Sequence, residues 1–532
     1  MVEVPDAVKP QKCLTTLMLR RSPRTKMIEN ELFERLRFLR IITINDTSLE
    51  SLPNSIGDLL HLRYLDLDRT KIKKVPESIG CLILLQVLNL SGCESLHTLP
   101  KAITKLCNLR CLRLEGTPLT HVPKGIGKLK HLNYFRGFVI GHDDRRGAED
   151  DEGCDLEELQ SLSQLRFLEI NRLDRREPRG APVLANSNFL RTLILNCQHL
   201  LEDDAEALAI QRIDKIYNEL SPQSTHLQNL QIRNFFGSGF PSWMMSPSLD
   251  RLHFPSLKSW NFAGWTTGKN GRLVWWRGVG EERRGAPKLL PYLSKLGLGG
   301  CPKLRSLPPL GLLPQLKSLC IVTAYAIKTI GPEFLGPRAL SAATSFPKLE
   351  ELQFYGLKNW EEWSFGMMEG VGEEKRGASK LLPRLTKLVL YQCPKLRALP
   401  DIKNLPSLKS LRIMNCPRLE HVENLDKLQF LEVRLSSSTE TSTTDADGQT
   451  ERLPQWLLEL LQNAPTAMQS LKEFQLRCSL PVLKTFLKDG PNWPIIQPIP
   501  QVTIQEYLPA NRRPSHIRYT KDPPTFKMHI EE

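Results

Sequence analysis

Cysteine is scarce in this chain, with 12 in 532 residues. That is far below the density of a disulfide-stapled scaffold and fits a reducing, intracellular compartment. The cysteines also lack the C-x-x-C pairing of a zinc site. Cys107 and Cys111 lie close in sequence, but no second His or Cys pair completes a ligand set. Long apolar runs are missing as well. The stretch CLILLQVLNL at 81–90 carries Gln86 and Asn89 and is about half the roughly 18–20 residues that a membrane helix needs. The first residues, MVEVPDAVKP, hold two acids and two prolines and do not read as a signal peptide. There is no G-x-x-x-x-G-K-[ST] loop, nor G-x-S-x-G, H-E-x-x-H or H-R-D with its partners. A small secreted scaffold, a membrane-spanning chain, a nucleoside-triphosphate enzyme and the common hydrolases are therefore set aside. The sequence implies no cofactor and no metal, and the chain is not read as an enzyme.

What is present is enough for a sizeable core: 40% hydrophobic residues beside 24% charged ones. The formal charge is +14, from 72 Lys and Arg against 58 Asp and Glu, and such an excess favours acidic partners through the summed field. It is spread along the chain without an arginine-rich tail, which makes it a weak warrant for nucleic acid.

Leucine spacing is the most informative feature. The chain reads LRIITINDT at 39–47, LRYLDLDRT at 62–70, LLQVLNLSGC at 84–93 and LRCLRLEGT at 109–117. The anchors Leu39, Leu62, Leu85 and Leu109 are 23, 23 and 24 residues apart. Leu14, Leu17 and Leu19 make an earlier copy, and Leu132 begins a weaker later one. Periods of about 20–29 residues with L-x-x-L-x-L-x-x-(N/C/T) are the leucine-rich repeat signature. Each L-x-L alternates inward leucines with outward variable residues, as a short strand of a parallel sheet does. In the turn that follows, Thr47, Thr70, Cys93 and Thr117 offer a small side chain able to satisfy backbone groups from inside the coil. Cys301, Cys393 and Cys416 fill the same structural slot in later copies.

The second half of each repeat is equally regular: SLPNSIGDL at 51–59, KVPESIGCL at 74–82, TLPKAITKL at 98–106 and HVPKGIGKL at 121–129. Proline fixes φ and restricts its neighbour, and Gly57, Gly80 and Gly127 are expected to permit tight turns. One coil cannot bury its apolar edge alone, so stacking supplies a continuous core. The fold expected is an α/β leucine-rich-repeat solenoid of about 14 to 18 coils. It is a curved horseshoe with a parallel sheet on the concave face and short helical or irregular convex returns, because strands pack more closely than the bulkier returns.

Regular repeats run over 1–140, a charged break and re-entry over 141–160, and irregular repeats with loop insertions over 161–435. A polar low-complexity loop at 436–450, terminal repeats at 451–490 and a proline-rich tail or cap at 491–532 complete the chain. Between 202 and 220 the spacing predicts a return helix, and PSWM around Trp243 an apolar plug that closes a coil. The segment beginning VGEERRGAPKLLP at Val279 is repeated as VGEEKRGASKLLP at Val371, an offset of 92 residues that suggests four units of 23. Trp275 and Trp276 beside Arg277, and Trp360 and Trp363 beside glutamates, read either as interface patches or as packing in core and loops.

Function rests on geometry. Outward residues of the sheet are free of packing duty, and those expected to form a protein-binding surface are Arg40, Asn45, Arg63, Tyr64, Asp66, Asp68, Arg69, Arg110, Arg113 and Glu115. Thr43, Asp46, Gln86 and Asn89 lie among them. Arg and Tyr combine apolar contact with fixed hydrogen-bonding geometry, and alternating charges suit another protein better than a uniform phosphate backbone.

The runs LRYLDLDRTKIKKVPESIG and LHTLPKAITKLCNLRCLRLEGTPLTHVPKGIGKLKHLNYFRGFVIG resemble the repeat domain of plant intracellular coiled-coil, nucleotide-binding, leucine-rich-repeat disease-resistance proteins. NELSPQSTHLQNLQI, FPSWM and the CPKL…LPPLGLLPQLKSL unit are similar to its later part. The resemblance implies a sensor or regulatory module in innate immunity that binds a pathogen effector or a guarded host protein. It places the chain in the cytoplasm, and in the nucleus as a further location. The coiled-coil and nucleotide-binding motifs of such receptors do not occur here, so no nucleotide binding is expected. The competing reading is a scaffold, decoy or truncated fragment that pairs in trans with a nucleotide-binding receptor and does not signal alone.

Overall fold

Alternating leucines become strands because only one face of each L-x-L segment can be shielded by the next coil. A computed structural model describes residues 13–21, 26–141, 153–198, 206–222, 226–237, 239–244, 265–267, 273–275, 290–335, 345–364, 382–400, 405–422, 427–435, 453–462, 470–507 and 514–530. The chain divides into two units, one made of 1–244 with 288–292 and the other of 245–287 with 293–532.

In the first unit nine strands pair in chain order, all parallel. They are β1 (Thr16–Arg20), β2 (Ile41–Asn45), β3 (Tyr64–Asp66), β4 (Val87–Asn89), β5 (Cys111–Arg113), β6 (Tyr134–Val139), β7 (Phe167–Asn171), β8 (Thr192–Asn196) and β9 (Asn229–Arg233). The inward residues Ile42, Leu65, Leu88 and Leu112 are paired in register and wholly buried. The helix α1 (Asn30–Arg35) opens the return side, and α2 (Glu206–Leu220) is the return helix expected between 202 and 220. Trp243 is buried against α2, its Nε1 donating to the carbonyl of Tyr217 at 2.7 Å.

The other returns are short 3₁₀ helices at Asn54–Asp58, Glu77–Cys81, Lys101–Lys105 and Ile126–Lys128. Pro53, Pro76 and Pro100 precede the first three in extended backbone, which sets the point where each helix begins. The glycines within them are not the turn residues that the sequence suggests, for neither Gly57, Gly80 nor Gly127 has a positive φ. They are contact points between coils instead. A Cβ on Gly57 would stand 2.8 Å from Ser78, one on Gly80 2.7 Å from Ala102, and one on Gly127 2.8 Å from the carbonyl of Glu158. Only hydrogen fits there.

Left-handed backbone falls at another place, directly before the turn slot. Asp46, Arg69, Gly92, Gly116, Gly300, Gln392 and Asn415 all have φ between 53° and 73°. Their amides still extend the ladder: Asp46 N–H donates to the carbonyl of Asp68 and Arg69 N–H to that of Ser91. The slot itself faces inward. Thr70 Oγ1 donates to the Leu67 carbonyl at 3.0 Å and lies 3.3 Å from Cys93 Sγ, whose thiol reaches the same carbonyl at 3.2 Å. Thr117 Oγ1 donates to Leu114, and the thiols of Cys301, Cys393 and Cys416 donate to Gly299, Tyr391 and Met414. Thr47 is buried in the equivalent place.

The second unit begins with the antiparallel pair β10 (Trp265–Thr267) and β11 (Leu273–Trp275). A parallel series follows: β12 (Lys295–Gly299), β13 (Ser318–Val322), β15 (Glu351–Tyr355), β17 (Lys387–Tyr391), β18 (Ser410–Met414), β19 (Phe430–Arg434), β20 (Glu473–Cys478) and β21 (Gln501–Glu506). Together with the nine of the first unit this makes 17 described strands in the two parallel series, within the expected number of coils. The 92-residue offset runs from β12 to β17 and spans three coils, not four units of 23: Leu296, Leu319, Leu352 and Leu388 are register partners spaced by 23, 33 and 36 residues. The two longer coils carry an extra parallel pair, β14 (Thr329–Ile330) with β16 (Glu362–Trp363). Aromatic rings fill them. Trp360 and Trp363 are buried and lie 4.8 and 5.4 Å from the Phe354 ring, so they belong to the core and not to an interface.

Helix α3 (Gln455–Gln462) turns Trp456, Leu457 and Leu461 inward. Beyond β20 come α4 (Leu480–Lys484) and α5 (Trp493–Ile496). Strand polarity then reverses, as β22 (His516–Thr520) pairs antiparallel with β21 and β23 (Thr525–His529) antiparallel with β22. Trp493 meets Tyr519 and Phe526 edge-on at 5.2 and 5.3 Å, binding the helical turn to the hairpin. The polar loop at 436–450, the charged heads of the duplication, residues 142–152, and Trp276 with Arg277 lie outside the described residues.

Candidate protein-recognition face

Because inward positions of the first unit's strands are taken by leucine, isoleucine and, in β6, phenylalanine, the residues between them form two rows across its sheet. The first row, in register, is Ile41, Tyr64, Val87, Cys111, Tyr134 and Phe167. It is apolar and aromatic, and Tyr134 stacks on Phe167 with ring centres 4.3 Å apart. The second row is Thr43, Asp66, Asn89, Arg113 and Arg136. A third line, Arg40, Arg63, Gln86 and Arg110, precedes the strands, and the carbonyl of each holds the first amides of the next strand.

Asp66 organises the second row. Its Oδ2 accepts from Asn45 Nδ2 at 3.2 Å and Tyr64 OH at 3.3 Å, while Oδ1 accepts from Asn89 Nδ2 at 2.8 Å and the Asp68 amide at 3.2 Å. Asn89 in turn accepts from the hydroxyl and amide of Ser91. Asp66 is only 8% exposed and Asn89 5%, and Thr43 is buried beside them. The expectation that these three are free of packing duty is corrected: polar neighbours on adjacent strands cover them. They shape the face from below. Burial, then the charge of Asp66, pushes the Tyr64 hydroxyl above its ordinary value. Burial first of all also raises Asp68, against the opposing pull of Arg69.

Charges alternate further along. Arg113 Nε donates to Glu115 at 3.1 Å, Arg136 bridges Glu115 at 3.2 Å and Glu169 at 2.9 Å, and Arg233 approaches Glu169 at 3.9 Å. Nearer the start, Arg69 Nε pairs with Asp46 at 2.9 Å and Asp68 at 3.2 Å. Of the ten residues expected on this surface, Asn45, Tyr64, Asp66, Asp68, Arg69, Arg113 and Glu115 are thus joined in hydrogen-bonded or ionic chains. Arg40, Arg63 and Arg110 stand exposed along the edge. Sequence reasoning missed Tyr134, Arg136, Phe167 and Glu169, which continue the same rows. The signal was there: Leu132-x-x-Phe135 is the repeat anchor with phenylalanine in place of the second leucine, and Phe135 is wholly buried in the leucine position.

Such a face offers contact area and fixed donors, not bond-making chemistry. The one thiol in the first row, Cys111, is pushed up to about 11 by burial and stays protonated at neutral pH. None of the twelve cysteines is paired in a disulfide. Among the described residues no group of three or more His, Cys, Asp or Glu is placed to hold a metal, and no helix is long and apolar enough to cross a membrane.

Parallel strands, inward leucines, the left-handed residue and the buried Thr or Cys define a leucine-rich-repeat solenoid. The leucine-rich repeat region family matches residues 14–259. The repeat domain is related to those of plant disease resistance proteins. A protein of Arabidopsis thaliana classed with them is 32% identical over 382 residues, covering 70% of this chain and 22% of that protein. A disease resistance RPP13-like protein of the same plant is 28% identical over 185 residues, 34% of this chain and 13% of that one. The match therefore spans about a fifth or less of these relatives' lengths. Among solved structures, a leucine-rich-repeat protein of Leptospira interrogans is similar at 18% identity and a TM-score of 0.39, over 82% of this chain and 95% of that one.

Proposed function

We propose that this chain is a protein-recognition module of plant innate immunity, and that the open sheet face of the first unit contacts the partner, a pathogen effector or a guarded host protein. The observation that carries the reading is the pairing of two rows: an apolar and aromatic row from Ile41 to Phe167 beside a polar row whose groups are already held in place. Fixed donors next to flat apolar area lose little freedom on binding, which favours specific contact. The kinship with disease resistance proteins supports the defence setting. The proposed location is the cytoplasm, and also the nucleus.

The test is affinity purification of the tagged full-length chain from plant tissue, with and without pathogen challenge. A challenge-dependent foreign protein or modified host protein is expected, and Arg63→Ala combined with Tyr64→Ala should abolish its capture. Lys101→Ala, on the return side, should leave it unchanged. A second reading, pairing in trans with a nucleotide-binding receptor, is favoured by exposed Phe38, Leu60, Ile83 and Leu84 in the turns that lead into the strands. Capture of such a receptor alone, insensitive to the Arg63 and Tyr64 changes but lost on Leu60→Asp with Ile83→Asp, would replace the first reading by the second.

A further inference from the structure

We propose that a hollow of about 440 Å³ at the strand-entry edge of β5, β6 and β7 binds a multiply phosphorylated small molecule. Four cationic or protonatable side chains line it: Arg110 before β5, Lys130 and His131 in the turn before β6, and Arg166 before β7. The remaining lining is neutral and polar, from Asn133, Ser163 and Gln164. No carboxylate takes part.

The contrast with the adjacent sheet face is what points to a ligand. A few residues further along the same strands, Arg113 and Arg136 are paired with Glu115 and Glu169. Among the described residues, Arg110 and Arg166 have no such partner, and the one described bond of Lys130 Nζ is a 3.4 Å contact with the Ser161 carbonyl. Gathering like charges around one hollow raises its potential and leaves it to be neutralised from outside. The backbone supporting it is fixed. The Arg110 carbonyl accepts from Asn133 and Tyr134 at 2.9 and 3.0 Å, and the Arg166 carbonyl from Arg191 and Thr192 at 2.8 and 3.0 Å. Guanidinium groups match phosphate oxygens in a forked geometry, and the amides and hydroxyl can fill the remaining lone pairs. Two arginines two strands apart, with Lys130 and His131 between, suit several phosphoryl groups on one compact body. The volume lies within the roughly 300–1,000 Å³ usual for small-molecule sites.

Calorimetric titration of the full chain with tripolyphosphate at physiological salt tests the assignment. Saturable binding is expected, weakened about tenfold or more by Arg110→Gln or Arg166→Gln, since each removes a charge-assisted pair. Lys74→Gln and Lys101→Gln remove the same charge elsewhere and should leave affinity within about twofold, as screened charges do at this ionic strength. Unchanged thermal melting of each variant shows that the fold persists. Absence of binding overturns the proposal, as does equal weakening by all four changes, which would reveal diffuse attraction to a basic chain. Inorganic phosphate binding as tightly as tripolyphosphate overturns the multiply phosphorylated class. A phosphoserine peptide binding where tripolyphosphate does not would transfer the site to a protein ligand and overturn it too.

Discussion

Between β2 and β5 each coil takes 23 or 24 residues and meets its neighbour across a glycine or a small side chain, whereas between β13 and β17 the coils take 33 and 36 residues and large rings fill the space. The strand ladder is the same in both, with parallel pairing, inward leucines and a left-handed residue ahead of the turn. What differs is how the return reaches the core. A short return has no room for side chains between coils, so Gly57 and Gly80 let backbones touch. A long return leaves a gap, and Phe334, Phe346, Trp360 and Trp363 close it. Length and packing chemistry are therefore linked, and the link can be broken at either end.

The largest effect is expected from Trp360→Ala, which empties the centre of a long coil and should cost about 3–5 kcal/mol. Urea denaturation would show the loss, and hydrogen exchange should place it in 345–400. If exchange there were unchanged, the rings would not be what fills the long coils. Next is Gly80→Ala, where the added methyl meets Ala102 at 2.7 Å and forces two 3₁₀ helices apart. A loss of about 1–3 kcal/mol is expected from such overpacking. A neutral result would mean that short coils do not depend on close approach.

The repeat itself was plain in the sequence: leucine anchors, turn slot and proline-led returns all follow from local spacing. Three features were not. The role of the glycines was hidden because a residue without a side chain looks alike in a turn and at a contact, and only the position of Ser78 or Ala102 separates the two. The length of the later coils was hidden because 92 happens to be divisible by 23, although 23, 33 and 36 reach the same total. The burial of Asp66 was hidden because its cover comes from Asn45 and Asn89, 21 and 23 residues away in the chain. Of the recognition face, the outer positions were legible from alternation, while their partnerships were not.

Smaller effects refine the turn slot that both kinds of coil share. Thr70→Val keeps the shape but removes the bond to the Leu67 carbonyl, and about 1 kcal/mol should be lost in thermal or urea melts. Cys93→Thr, by contrast, restores the residue used by neighbouring coils and should be nearly neutral at pH 7. It should matter at alkaline pH. Burial raises the thiols of Cys93, Cys111 and Cys320 above their ordinary value of 9.0, so the folded chain holds those protons more tightly than the unfolded one. Their contribution is complete below pH 9.0 and is lost as the pH rises through the raised values. Melts from neutral pH to about 11 should show stability falling above 9.0, and less steeply in the Cys93→Thr chain.

The three-coil offset between β12 and β17 also bears on how such a chain can be inherited. Copying a stretch of gene that ends in mid-coil would leave a broken coil at the junction, with an apolar edge that its neighbours could not cover. A stretch beginning and ending at the same point of the repeat does no such harm, whatever its length, because each coil answers chiefly to the next. The 92-residue offset made of 23, 33 and 36 satisfies that rule without any of its parts being equal. The grammar of this molecule is thus punctuated by coils and not by residue counts. New surface can be added to it in whole sentences.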